Sequence, residues 1–479
     1  MVLWNKLAVI PRLPPTSDHL RIACYSIMFL LVIAAFGNIK TGRNHKCKLR
    51  RYSHSKASEK MEIKENSIKR FIQRYRLRIL LLIVLFFEIL YFFICFMSHG
   101  QYFNSVFHPD PNDTFADFFK PMYDWWGNPY ENPTLAVNYP ALAVLFFQGI
   151  RHFATAQVTS GLAYRTLSSA WIPFIIYNTF CFLIFALCVF HTLKKLQEAD
   201  IYIVLSVCLL SAFFLYSIER GNIALLAFVL SFFFCCFYEN KSSVVKETAF
   251  ISLAIAAGLK IYPAVFGFLL LKKCRWKDAC RLAGYGIAFF LLPFMQYGLH
   301  TVLSFLGGTH AFFNGTQHII SYSIDSLFYM VSVITGATVP QSLVTIIKVL
   351  FAIGLVGYIM LAKTEWESML ACALFMIVIP PTSFGYTLLF LYPSFVMLLR
   401  SVGEYDEETV ENHPKFKRKH YIGFILLCFS VILIPWASLN ITVLYWSITY
   451  VTYSMTVWLL TVLVLAQSCR SILYRVLKA

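Results

Sequence analysis

Four charged residues of this chain stand where charge is costly. They are Asp117 in Phe115-Ala116-Asp117-Phe118-Phe119, Arg220 in Glu219-Arg220-Gly221-Asn222, Lys260 in Gly258-Leu259-Lys260-Ile261-Tyr262-Pro263, and Lys348 inside the apolar run Leu343 to Leu361. Bulky aromatics strip water from a carboxylate, which is one way to make a general base. Three cations converging on one cavity would compensate the charge of a phosphate. Each residue also has a plainer reading. Asp117 would open a helix, Arg220 would pair with its neighbour Glu219, and the lysines would snorkel to headgroups.

The elements that must position these residues belong to a membrane. Of 479 residues, 58% are hydrophobic and 14% charged, and the mean hydropathy is +0.65, far from soluble globular values. Apolar runs recur at Ile22 to Phe36, Ile79 to Met97, Trp171 to Val189, Ile201 to Tyr216, Ile223 to Phe237, Leu282 to Leu299, Leu343 to Leu361, Leu370 to Pro381, Thr387 to Leu399, Tyr421 to Trp436 and Ile448 to Ala466. They predict an all-α polytopic membrane protein with about ten to thirteen crossings. The first run starts late and ends without small residues suited to cleavage, so it reads as an extra helix rather than a signal peptide.

The net charge of +17 reports topology rather than a nucleic-acid partner. Lys40 to Arg78 holds fourteen Lys or Arg against three Glu, and further basic connections lie at Lys194-Lys195, Lys272-Lys273 and Lys415 to Lys419. These mark the cytoplasmic face. The loop Gln101 to Pro140 carries one Lys and five acids and faces outward. Only one crossing then fits between it and Lys194, so Tyr139 to Phe153 is an interfacial or re-entrant segment roofing the loop. The stretch Thr248 to Leu271, basic on both flanks and broken at Gly258 to Pro263, becomes a hairpin of two short arms with Lys260 at its tip. Broken helices are where membrane proteins build polar sites.

The remaining features carry less chemistry. Trp125, Trp126, Tyr123, Tyr130 and Tyr139 form either a sugar-stacking surface or an interfacial aromatic belt. His300, His310 and His318 in the second outer loop are too widely spaced for a metal triad, and no metal or cofactor is expected. The thirteen Cys avoid the outer loops and form no disulfide framework. Sequons begin at Asn112, Asn314 and Asn440 on segments placed outside.

The order of short motifs resembles glycosyltransferase family 87. It runs from Asp117-Phe118-Phe119 through Asn128-Pro129-Tyr130 and Asn138-Tyr139-Pro140 to Gly221-Asn222, then Gly258 to Pro263, then Pro380-Pro381-Thr382-Ser383 and Tyr386. The resemblance covers roughly residues 103–393 and includes mannosyltransferases that use polyprenyl-phosphate mannose. It implies a GT-C-type helix bundle in the membrane, with Asp117 in a large first outer loop as the base and Lys260 in the donor region. The substrate-binding candidates are then Lys260, Arg220, Lys348, Tyr139, Asn222, Tyr386 and His318. The chain departs from the family at Ala141, at Asn222 and at Phe384 to Tyr386, where Trp and His are usual, which leaves a second catalytic His without a counterpart.

The expected organisation is a basic N-terminal segment (1–78), a catalytic membrane core (79–401), a charged cytoplasmic loop (402–420) and C-terminal helices (421–479). The expected activity is inverting transfer of a sugar, mannose foremost, from a polyprenyl-phosphate donor to a lipid or glycan acceptor on the extracytoplasmic face. The protein would be a multi-pass enzyme of the cell membrane, or of the endoplasmic reticulum in a eukaryote. A lipid-linked saccharide flippase or transporter is the alternative, since it too needs broken helices and intramembrane cations.

Overall fold

The computed structural model describes residues 58–97, 114–132, 137–154, 158, 160–316, 321–408, 427, 442–443 and 446–476. The expected helix at Ile22 to Phe36 and the run Tyr421 to Trp436, apart from Leu427, lie outside these residues. So do Asn112, Asn440 and the candidate His318.

The described chain is helical, with one two-residue antiparallel pair, Thr442–Val443 against Trp446–Ser447. Helix α1 (Ser58–Met97) enters the core through its apolar half. The inward positions Leu81, Leu85, Glu88 and Cys95 recur at helical spacing. Short helices α2 (Ala116–Asp124) and α3 (Ala141–Arg151) follow. At 11 residues α3 is roughly 16 Å long, too short to cross a bilayer, and it packs on α2 instead.

Helix α4 (Ser168–Leu193) is a long apolar helix. Helices α5 (Glu198–Leu210) and α6 (Ala212–Arg220) follow each other across a bend of 51° at Ser211. Ser211 Oγ turns back to the Cys208 carbonyl at 2.6 Å, serving the polar group freed at the bend. Helix α7 (Ala224–Phe237) leads to α8 (Ser243–Leu259).

At Lys260 the backbone becomes extended (φ −144°, ψ 126°), because Pro263 cannot continue an α-helix. A 3₁₀ turn (Tyr262–Gly267) and α9 (Phe268–Lys272) then run back. The two ends of this hairpin meet: Lys273 lies 3.5 Å from Glu239, and Arg275 donates to the Tyr238 carbonyl at 3.0 Å. The first arm has 17 residues, since the helix begins at Ser243 rather than at the expected Thr248.

Helix α10 (Trp276–Leu291) crosses α8 closely. A side chain at Gly258 would place its Cβ 2.8 Å from the Phe289 carbonyl oxygen, so only glycine allows the contact. The expected outer loop after Leu299 contains α11 (Thr301–Thr316), which holds Asn314, and is followed by α12 (Ile324–Thr335). Helices α13 (Gln341–Leu361) and α14 (Glu365–Val378), a 3₁₀ segment (Gly385–Leu391), α15 (Tyr392–Glu408) and α16 (Ile448–Val476) complete the chain. Helix α15 runs into the stretch expected as a charged loop.

Four described helices are each long and apolar enough to cross a membrane, or five with the bent pair counted as one span. Leu82, Phe86, Phe93, Ile172, Ile176 and Leu183 are exposed on α1 and α4, as lipid-facing residues are. The protein is a helical membrane protein.

Candidate active site

The site is assembled where α2, α6, the start of α7, the approach to α3, the α8 break and the late 3₁₀ segment converge. Two residues with left-handed backbone make the first junction. Phe115, just before α2, has φ 57° and donates its N–H to the Glu219 carbonyl at 2.6 Å. Gly221, just after α6, has φ 66°, and a Cβ there would lie 2.7 Å from that of Phe118. The strain at Phe115 is held by aromatic packing: its ring lies edge-on to Trp171 (5.2 Å) and Phe174 (5.0 Å), and Phe118 lies 5.0 Å from Phe174. Each such pair contributes about 0.5–1.5 kcal/mol beyond area burial, against about 1–3 kcal/mol for one strained residue.

This junction brings Asp117, in the first turn of α2, against Arg220 at the end of α6. Arg220 Nη2 donates to Asp117 Oδ1 at 2.5 Å and Nε to Oδ2 at 3.3 Å, a two-point clamp. Asn222 Nδ2 donates to the same Oδ2 at 2.7 Å. Asn222 is itself fixed, because its Oδ1 accepts from the Ala224 N–H (2.9 Å) at the start of α7 and its carbonyl accepts from Tyr177 (2.8 Å). Three donors therefore occupy Asp117, and a carboxylate offers about four acceptor directions. One acceptor direction remains. The side chain of Asp117 is 23% exposed, so the carboxylate is partly accessible.

Asn222 Nδ2 also approaches the Tyr139 hydroxyl at 3.3 Å. Burial, and then the adjacent Asp117 carboxylate, hold the Tyr139 phenol well above its ordinary pKa, so it keeps its proton. The Tyr139 ring is the floor for Lys260, whose Nζ stands 3.7 Å from the ring centroid and 5.7 Å from that of Tyr386. Tyr386 stacks in turn on Tyr216, with centroids 6.4 Å apart. Lys260 is thus placed within the electrostatic reach of Asp117, with aromatic faces as its neighbours.

Six of the expected site residues are brought together: Asp117, Arg220, Asn222, Tyr139, Lys260 and Tyr386. Lys348 is held elsewhere, donating to Asp325 at 2.6 Å, a pair formed between the first turn of α12 and the second turn of α13. His318 is outside the described residues. Arg220 reaches Asp117 across 103 positions of sequence, a partner that the adjacent Glu219 had masked. Gln148 was also missed. Its amide donates to the Trp125 (2.5 Å) and Gly127 (2.8 Å) carbonyls and its Oε1 accepts from Tyr297 (2.8 Å), so α3 pins the outer loop.

An apolar cleft of about 670 Å³ includes Ile261, the residue after Lys260, in its lining, though not Lys260 itself. It lies between α8, the returning arm and α10, with Leu253, Ala257, Ile261, Phe268, Ile287 and Phe290 among its lining. Small residues on the arms leave this space, and Trp276, Ile261 and Ile287 are exposed beside it.

The model of glycosyltransferase family 87 matches residues 139–381. Neither a curated protein nor a solved structure matches the chain.

Proposed function

Because the chain belongs to glycosyltransferase family 87, we propose that it transfers a sugar from a polyprenyl-phosphate donor to a hydroxyl of a lipid or glycan acceptor, in a GT-C-type membrane bundle open to the extracytoplasmic face. The observation that carries this reading is the meeting of a clamped, partly open carboxylate, Asp117, with an ammonium, Lys260, across Tyr139 and Asn222. The apolar cleft on the same hairpin, lined by Ile261 next in sequence to Lys260, supports a donor with a hydrocarbon chain. Mannose is the sugar favoured by the resemblance to polyprenyl-phosphate-mannose enzymes.

In the proposed step the acceptor oxygen attacks the anomeric carbon from the face opposite the phosphate. Its proton passes to the free direction of the Asp117 carboxylate as the new carbon–oxygen bond forms. The bond from the anomeric carbon to the phosphate oxygen breaks, and its electron pair leaves with the lipid phosphate. Lys260 compensates that developing charge from a position prepared before reaction. Direct displacement inverts the anomeric centre. Arg220 and Asn222 hold the base in register, and Tyr139 and Tyr386 hold the ammonium. A lipid phosphate whose charge is compensated departs readily, so one carboxylate and one cation suffice.

The reading is tested with purified protein in nanodiscs, radiolabelled polyprenyl-phosphate sugars and total membrane glycolipid as acceptor. Transfer from one donor, lost in Asp117→Asn, is the expected result. Equal transfer by both proteins overturns the assignment of the base, and saccharide movement across proteoliposomes without transfer would replace the enzyme by a transporter.

A further inference from the structure

Glu88 stands in the apolar half of α1 with no exposed surface, and neither of its carboxyl oxygens has a hydrogen-bond partner among the described residues. No Lys, Arg or His of those residues is close enough to compensate it. Ionised, it would be an uncompensated charge inside the bundle, far costlier than a neutral group. A leucine would fill the position without that cost, so packing does not account for the residue.

Two phenols lie near Glu88, and both hold the start of α6. Tyr392 of α15 and Tyr453 of α16, each buried, are within its electrostatic range. The Tyr392 hydroxyl meets the Ser211 hydroxyl at the bend between α5 and α6. Ser211 donates its own proton to the Cys208 carbonyl at 2.6 Å, so Tyr392 is the donor of the pair. The Tyr453 ring lies edge-on to Phe213, in the first turn of α6, with centroids 4.7 Å apart. The other titratable groups around this point are thiols and phenols: Cys208 of α5, which acts on Tyr392, and the buried Tyr91 and Cys95 of α1 itself. From the bend, α6 runs nine residues, roughly 13 Å, to Arg220 on Asp117.

We propose that Glu88 is a positioning residue that carries a proton inside the bundle and in that form keeps the bend at Ser211, and with it Arg220, in register on Asp117. The proposal rests on the reading of Asp117 as the base of sugar transfer. A protonated carboxyl leaves the Tyr392 proton on Ser211 and can itself donate to a phenol oxygen. A carboxylate can only accept. It competes for the protons of Tyr392 and Tyr453, and the lock on the bend opens. A helix pivoting at Ser211 moves most at its far end, where Arg220 makes its two-point clamp.

The experiment compares wild type, Glu88→Gln and Glu88→Leu. Glutamine keeps a neutral group that can donate, and leucine removes it. In nanodiscs, Glu88→Leu is expected to lower kcat for sugar transfer roughly fivefold to fiftyfold with the donor KM unchanged, and Glu88→Gln to restore most of that loss. The proton is read separately, from unfolding midpoints in detergent across pH. A carboxyl that is protonated when folded takes up a proton on folding above the ordinary Glu range, about 4.3. The wild-type midpoint should therefore fall more steeply with rising pH than that of Glu88→Gln, until the folded protein also releases the proton. Equal slopes overturn the proposal, as does Glu88→Leu with the kcat of wild type. Glu88→Gln as slow as Glu88→Leu overturns it too, because the neutral form would then not be the one that positions Arg220. Transfer by none of the three proteins, with the difference in slope present, strikes the reading of Asp117 and leaves the proton on Glu88 standing.

Discussion

The chamber around Lys260 and the foot of the same hairpin handle positive charge differently. At the foot, Lys273 lies 3.5 Å from Glu239 and 3.4 Å from Glu365, and Arg275 is paired with Asp278 three residues on. Lys272 donates to Ser368 at 2.5 Å. At the tip, Lys260 has two tyrosine faces rather than a carboxylate at hydrogen-bonding distance among the described residues. Cations at the foot close hairpin ends and need nothing further. The cation at the tip keeps its three N–H donors pointed at no protein carboxylate, in a place where an uncompensated charge is costly. On the proposed reading, that difference separates a structural lysine from a substrate-binding one.

The largest way to break the contrast is Asp117→Asn. The asparagine fills the same volume and can still accept from Arg220, but it cannot take a proton. Transfer should fall about 10² to 10⁴-fold in initial-rate assays with radiolabelled donor; a rate within a few-fold of wild type would remove the base from the chamber. Next is Arg220→Lys, which keeps the charge and loses the two-point geometry. It should lower kcat roughly tenfold to a hundredfold, since misplacing a catalytic group by about an ångström costs that much. If Arg220 merely balanced charge, Lys would restore the rate.

Gly221→Ala is a smaller change acting through the fold. It forces a Cβ into Phe118 at a left-handed position, and should cost about 1–3 kcal/mol, read as a lowered unfolding midpoint in detergent. An unchanged midpoint would mean that α2 and α6 do not meet as described. Smallest is Lys273→Met at the foot. Its pairs are partly exposed, so stability should change by less than about 1 kcal/mol and transfer not at all. A large loss of transfer there would erase the contrast between foot and tip.

Much of this was legible in the sequence for local reasons. Gly258, Lys260 and Pro263 within six residues announce a broken helix, and a basic residue on each side of the stretch announces a return to the same face. The shortness of the segment after Tyr139 follows from counting crossings. Other features depend on contacts between distant segments. The clamp of Arg220 on Asp117 requires the left-handed turn at Phe115, which no residue type there predicts. The pair of Lys348 with Asp325 depends on α12, a helix that none of the expected apolar runs covered. Glu88, fully buried on α1, was visible as the polar member of an inward stripe at spacings of four, three and seven, yet its run read as an ordinary span.

The central claim is that Lys260 holds a lipid phosphate beside Asp117. It is tested most directly by the inhibition constant of a sugar-free polyprenyl phosphate against transfer, measured for wild type and Lys260→Met in matched nanodiscs. Loss of a charge-assisted hydrogen bond should raise that constant roughly tenfold to a hundredfold in Lys260→Met, while Lys273→Met leaves it unchanged. An inhibition constant in Lys260→Met equal to that of wild type would contradict the account.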